Sequence, residues 1–296
     1  MDTSTVNRFA IHLALNKVDP SAYPQMPNTL FGCINDSNYY ASLTSHFPEG
    51  QNFILHGTEA TREQFREALL RVANLAQPED VVIITYAGHG GFIEDFNGDE
   101  SGTGDGRPFD ETMVLYNGIW IDDETFALLA QFRPDVNIIF FFDSCHSGTA
   151  SRAFNPAGQR SLLRTRETSL AVIRQAYEYN KKYYDQQWQA INRGQSRTNK
   201  AGVKARVICF AACTDTQLAQ ETDSSRGLFT WVLENSFDHS LTIQNFRTKL
   251  TGEMARLMVP EVQRPFFDQY GDNPSSLDTF TITALFGSSG TDSKST

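Results

Sequence analysis

Short apolar runs rich in β-branched and aromatic residues alternate along this chain with stretches whose apolar positions recur at helical spacing. Val81–Tyr86 (VVIITY), Ile138–Phe142 (IIFFF) and Ala205–Ala212 are too short for typical helices. They are apolar at successive positions, the pattern of strands covered on both faces. Arg8–Leu15 reads as a further central strand, Gln51–His56 and Phe266–Tyr270 as shorter ones, and Thr279–Phe286 is predicted to add another. Glu111–Tyr116 and Ile119–Ile121 flank Asn117-Gly118, a strong hairpin signal. Between these runs, a helix over Asp36–Phe47 places Tyr39, Tyr40, Leu43 and Phe47 on one face, with Asn35 or Asp36 as its cap. A capping-box pattern at Thr61-Arg62-Glu63-Gln64 opens a second helix carrying Phe65, Leu69, Val72 and Leu75. Asp122 and Asp123 open a third, to Phe132, where their charge complements the helix dipole. Leu170–Ile191, Phe229–Phe237 and Ile243–Met258 also have helical patterns. Strand alternating with helix predicts one α/β sandwich around a mainly parallel sheet.

Two of the buried strands end abruptly in reactive residues. Ile138–Phe142 runs into Asp143-Ser144-Cys145-His146-Ser147-Gly148, and Val81–Tyr86 runs into Ala87-Gly88-His89-Gly90-Gly91. Open α/β sheets bind their ligands at the carboxyl ends of strands, so a thiol and an imidazole are presented where chemistry is expected. The separation of His89 from Cys145, 145 − 89 = 56 residues, suits neighbouring parallel strands joined by a crossover. Taken singly, Cys145 is more often a small buried hydrophobe and His89 a structural residue; together at two strand ends they form a candidate nucleophile and base.

Tyr86-Ala87-Gly88-His89-Gly90 and Asp143-Ser144-Cys145-His146-Ser147-Gly148 closely resemble the histidine and cysteine motifs of metacaspases and their bacterial relatives, the orthocaspases, within the caspase-like cysteine peptidases. Gly32-Cys33-Ile34-Asn35-Asp36 and Glu261-Val262-Gln263-Arg264-Pro265 resemble further family landmarks, so the likeness extends over roughly Arg8 to Pro265. The Gln-Ala-Cys signature of true caspases is absent.

The resemblance implies a caspase-like three-layer α/β/α sandwich. Residues 1–150 would hold the His89/Cys145 dyad, 151–204 a basic linker with one helix, 205–286 a part completing the same sheet, and 287–296 a disordered tail. It implies a cysteine endopeptidase that cuts after arginine or lysine through an acyl-enzyme. Backbone N–H groups of Gly90 and Cys145 would face the oxyanion, and Asp36, Asp143, Cys33 and Ala87 would line the pocket for the basic side chain. His146, beside the nucleophile, is the second choice of base. Two carboxylates set close together raise one another's pKa until a cation arrives, so such a pocket favours a guanidinium. Asp110, Asp122 and Asp123 match three of the family's calcium-ligand positions, but Arg152 stands at the fourth, so activity without calcium is expected. The acidic stretch Glu94–Gly106 is a solvated loop; it lacks the glycine and glutamate an EF-hand needs. If the enzyme cuts after basic residues, the arginines and lysines of 151–204, which otherwise read as a solvated face, become candidates for self-cleavage.

Composition narrows this little further. The 296 residues are 40% hydrophobic and 20% charged, an ordinary globular balance, and the net charge of 25 − 35 = −10 argues against nucleic acid and favours basic peptides or proteins as partners. No basic leader or membrane-length apolar run is visible, and the four cysteines lack zinc or disulfide spacing. A cytoplasmic monomer with reduced thiols, no required cofactor and no membrane or nucleic-acid partner is expected. A cysteine phosphatase is disfavoured because six residues, not five, separate Cys145 from Arg152. A peptide ligase using the same acyl-enzyme, or a scaffold protein that leaves the dyad unused, are the other classes open.

Overall fold

The computed structural model describes residues 6–26, 29–94, 109–145, 164–190, 200–214, 217–222, 225–257 and 263–287. Its centre is a six-stranded sheet. In chain order, the strands are β1 (Arg8–Ala14), β2 (Asn52–His56), β3 (Val81–Ala87), the hairpin strands β4 (Gly90–Glu94), β5 (Phe109–Leu115) and β6 (Gly118–Ile121), β7 (Asn137–Asp143), β8 (Arg206–Ala211), the short β9 (Glu221–Thr222) and β10 (Arg226–Gly227), and β11 (Phe266–Tyr270). The sheet order is β11-β8-β7-β3-β1-β2, parallel except for β11 at its edge, while β4-β5-β6 form a small antiparallel sheet of their own.

Successive residues of one strand serve opposite faces. Ile138 and Phe140 of β7 join the core under helices α2 (Arg62–Leu75) and α3 (Asp122–Leu129), with Phe65, Leu69 and Phe126. Ile139 and Phe141 join the opposite core, with Tyr40 of α1 (Cys33–Leu43), Phe229 of α6 (Leu228–Ser236) and Phe246 of α7 (Ile243–Leu257). This double covering makes the three layers and explains why the strand is apolar at each position from Ile138 to Phe142.

Several sequence expectations shift. Helix α1 begins at Cys33, so Asp36 lies inside its first turn rather than at its cap, which is Gly32. Leu75 is exposed at the end of α2, whereas Phe65, Leu69 and Val72 are buried. The expected helix over Leu170–Ile191 is two, α4 (Leu170–Tyr179) and α5 (Lys181–Ala190). Asn180 breaks it: its amide donates to the Asn117 carbonyl at the β5–β6 turn and accepts from Arg62. Thr279–Phe286 is not a strand. Thr281 instead caps the short helix α8 (Ile282–Phe286), its hydroxyl accepting from the Ala284 N–H. The expected acidic loop lies largely outside the described residues, as does the C-terminal tail.

Candidate active site

Adjacent parallel strands set the two candidate catalytic residues side by side. Ala87 of β3 is paired with Asp143 of β7, and His89 and Cys145 each follow by two residues, so both leave the sheet at the same level of neighbouring strands. Both are buried, at 4% and 0% exposure. Tyr86 stiffens the histidine turn: its hydroxyl donates to the His89 carbonyl at 2.6 Å and accepts from the Val114 N–H. The turn must pass close to the cysteine. A Cβ on Gly90 would come within 1.7 Å of the Cys145 carbonyl oxygen, so only glycine fits there. The Cys145 thiol faces the chain beyond β8, where Sγ accepts from the Ala219 N–H at 2.9 Å.

Asp36, Asp143 and one residue the sequence did not single out, Glu221, converge on a single guanidinium, and it belongs to this chain. Arg166 is wholly buried. Its Nη2 lies 2.6 Å from Asp36 Oδ2 and 3.3 Å from Glu221 Oε1, and its Nη1 lies 3.0 Å from Asp143 Oδ1. Nη1 also donates to the Asp143 carbonyl at 2.6 Å. This corrects the reading of the linker's basic residues as a solvated face: at Arg166 the charge is enclosed. Burial opposes that charge, yet Asp143, Asp36 and Glu221, with the nearby Cys33 thiol, outweigh it and hold the Arg166 pKa above its ordinary range.

Each carboxylate is itself held. Asp36 accepts from the Gly227 N–H, Asp143 from the N–H and hydroxyl of Thr230 in the first turn of α6, and Glu221 from the N–H groups of Phe31 and Gly32. Burial pushes Asp36 up to about 7; Arg166 opposes this and Asp143 adds to it, so even with the cation present one carboxylate stays readily protonated. Cys33 and Ala87 are buried together beside this cluster, and burial raises the Cys33 thiol.

The backbone around Arg166 is bound as well. Its N–H donates to the Ala219 carbonyl at 3.0 Å, the Arg164 carbonyl accepts from the Glu221 N–H at 2.9 Å, and Thr165 and Gln220 form an antiparallel bridge. The Arg166 carbonyl accepts from the Gly90 N–H at 2.9 Å, and the Thr168 N–H donates to the Gly90 carbonyl at 2.9 Å. Arg164 turns outward, its guanidinium 3.8 Å from the ring centroid of Phe31.

A family model described as the caspase domain matches residues 17–275. This chain belongs to that family. The caspase domain found here is 35% identical to metacaspase-1B of Aspergillus terreus over 142 residues, 43% of this chain and 36% of that protein. Against metacaspase-1B of Aspergillus niger it is 27% identical over 241 residues, 71% of this chain and 54% of that one. The chain thus spans between a third and about half of these curated relatives. A Geobacter sulfurreducens protein of known crystal structure superposes with a TM-score of 0.76 at 28% identity, over 94% of this chain and 99% of that one. Caspase-1 of Spodoptera frugiperda shares the fold, with a TM-score of 0.50 at 10% identity over 90% of this chain and 86% of that one. The domain is metacaspase-like, with the α/β fold of caspases.

The positions expected as calcium ligands lie on β5 and at the start of α3. Asp110 is buried on β5, and Asp122 and Asp123 open α3, where Asp122 accepts from the Asp123 N–H; among the described residues no three acidic, histidine or cysteine side chains form a metal-ligating group. His146 and Arg152 lie outside the described residues. Among those described, the four cysteines are free and no helix is long and apolar enough to cross a membrane.

Proposed function

We propose that this caspase domain is a cysteine endopeptidase that cuts after arginine, and more slowly after lysine, with Cys145 as nucleophile and His89 as general acid and base. The observation that carries this reading is the seating of Arg166. Its side chain fills an acidic pocket, its carbonyl rests on the Gly90 N–H, and its own N–H is bound to Ala219, the residue that also bonds the Cys145 thiol. A peptide bound in the same way would present its basic residue to the carboxylates and the following bond to the thiol.

In that pose the Cys145 thiolate attacks the carbonyl carbon while N–H groups of Gly90 and Cys145 receive the oxyanion, a contribution of about 10²–10³ in rate for one such donor. His89 protonates the departing amine and later takes a proton from the water that releases the acid. The preference for arginine follows from the partners of Arg166. Asp36 and Glu221 address one terminal nitrogen and Asp143 the other, a fork that a lysine ammonium cannot match. Activity without calcium is part of this proposal, because Arg152 stands where the family has its fourth calcium ligand. The test is hydrolysis of fluorogenic peptides ending in arginine, lysine or aspartate by the wild type and Cys145→Ala, with calcium and with chelator. Cleavage in the order arginine, lysine, no aspartate, lost in the variant and indifferent to chelator, is expected. A preference for aspartate, or activity that survives in Cys145→Ala, would overturn the reading.

A further inference from the structure

We infer that Gln263 is a positioning residue for the substrate's backbone. Its buried amide holds residues 219–221, the edge along which a peptide lies before the cut, against the strand ends that carry Cys145. This role rests on the peptidase reading above and adds to it the residue that shapes the peptide-binding edge. Gln263 belongs to the Glu261–Pro265 stretch singled out in the sequence, which no chemical step of the peptidase uses.

Residues 219–221 meet the 164–166 segment through alternate residues. The Ala219 carbonyl accepts from the Arg166 N–H at 3.0 Å, and the Glu221 N–H donates to the Arg164 carbonyl at 2.9 Å. The groups that would hold a peptide therefore belong to Ala219 and Glu221. Between them Gln220 turns its backbone the other way, as the residue between two ladder positions must. Its N–H donates to Gln263 Oε1 at 3.2 Å, and its carbonyl accepts from the Leu228 N–H at 2.8 Å. Gln263 Nε2 in turn donates to the Ala212 carbonyl at 3.2 Å. Ala212 directly follows β8, and its N–H donates to the Phe142 carbonyl of β7, the residue before Asp143. One side chain, at 0% exposure, thus joins the peptide-binding edge to the cysteine-bearing strand ends.

A side-chain amide suits this place because it offers an acceptor and a donor together, the two groups that a neighbouring strand would supply. The Gln220 N–H and the Ala212 carbonyl also fix which way the amide faces, since only one orientation satisfies both. The next residue adds a second tie: the Arg264 N–H donates to Gln217 Oε1 at 3.0 Å, on the approach to Ala219. A glutamine that served only to satisfy the Ala212 carbonyl would need no contact with Gln220. Ala219 further donates its own N–H to Cys145 Sγ at 2.9 Å, so the edge that Gln263 holds meets both the peptide and the thiol.

The test compares two fluorogenic amides, acetyl-Arg and acetyl-Ala-Ala-Arg, in the unaltered chain, Gln263→Met and Gln263→Glu, each with Arg166 present and as Arg166→Ala. The shorter substrate offers its arginine N–H to Ala219. The longer adds a carbonyl, two residues before the arginine, for the Glu221 N–H. A hydrogen bond of ordinary net strength is worth about two- to tenfold in affinity, so without a change at Gln263 the longer substrate should have the lower KM by about that factor. Gln263→Met keeps the side chain's length and loses both hydrogen bonds. The advantage of the longer substrate should vanish in it, while KM for acetyl-Arg changes by less than about threefold. Gln263→Glu keeps the shape and an acceptor for the Gln220 N–H, and should retain part of the advantage. The ratio of the two KM values is independent of how much of a variant folds and of any change in kcat common to both substrates. A chain with Gln263 intact that shows no advantage for the longer substrate, or a ratio that both variants leave unchanged while only kcat or thermal stability falls, overturns the inference and leaves the peptidase reading standing. Failure of the chain to cut either substrate, with Arg166 or with Arg166→Ala, overturns the peptidase reading itself.

Discussion

Removing the Arg166 cation while keeping its bulk, as Arg166→Met, should be among the costliest single changes in this domain. In a Cys145→Ala background, where no bond can be cut, the change leaves Asp36, Asp143 and Glu221 facing one another with side chains at most 4% exposed. Breaking a buried ion pair from one side costs about 3–5 kcal/mol, because the surviving charge is left without compensation. The carboxylates can escape part of this by binding protons, which fixes the direction of the pH effect. Burial already raises Asp36 to about 7 with the guanidinium present. Without it, the folded variant holds protons that its unfolded chain has released. A carboxylate whose pKa is raised on folding loses stability as pH rises, at up to about 1.4 kcal/mol per pH unit for each proton. The variant should therefore be destabilised by about 3–5 kcal/mol at pH 8 and clearly less at pH 6. Urea unfolding followed by tryptophan fluorescence at both pH values measures it, with Trp120 fully buried as a reporter. Adding Asp36→Asn should restore part of the loss, a coupling of about 1–3 kcal/mol. A loss below about 1 kcal/mol, equal at both pH values, is what an exposed surface ion pair would give and would refute the enclosed cluster.

The remaining predictions concern the pocket walls in enzyme whose pocket is open. A Cβ on Gly227 would lie 2.1 Å from Asp143 Oδ2, so Gly227→Ala should displace that carboxylate and raise KM for arginyl peptides by about tenfold or more, with kcat less affected. Because Asp36 is raised to about 7 with a guanidinium in the pocket and higher without one, 1/KM for arginyl peptides should rise with pH from about 7 upward, and Asp36→Asn should both raise KM and flatten that rise. Phe31, 44% exposed beneath Arg164, offers its ring face to the residue two positions before the pocket arginine, the third before the cut. Phe31→Ala should thus reduce a preference for arginine at that position by a few fold in a peptide library, the scale of an exposed cation–π contact at about 0.5–1 kcal/mol.

The sheet was legible because its strands are covered on both faces and so carry unbroken apolar runs; Val81–Tyr86 and Ile138–Phe142 were placed to within a residue or so of β3 and β7. Their ends pointed to His89 and Cys145, and family likeness alone singled out Asp36 and Asp143. What failed was decided by contacts remote in sequence. Asn180 ends α4 through the Asn117 carbonyl 63 positions away, which no local periodicity reveals. Thr279–Phe286 alternates like a strand but is eight residues of mixed polarity, and the Thr281 hydroxyl turns it into a helix start. Glu221 enters the pocket only because the chain beyond β8 returns to the N–H groups of Phe31 and Gly32, 189–190 positions earlier. Arg166 sits among Arg160 and Arg164 in a segment where every arginine looks alike; only its meeting with Asp36, 130 positions away, distinguishes it. An acidic pocket deduced from Asp36 and Asp143 called for a buried cation, and the nearby arginines were the signal that could have supplied it.

The most direct test of the central claim is covalent labelling of the Arg166→Ala chain, whose pocket has no internal occupant, with a peptidyl-arginine acyloxymethyl ketone, followed by peptide mapping. The account predicts one adduct, on Cys145, which is suppressed when His89 is changed to alanine or when arginyl peptide is present in excess, and no adduct from the matching aspartate reagent. Labelling of Cys33, Cys209 or Cys213 in place of Cys145, or equal labelling by the aspartate reagent, would contradict it.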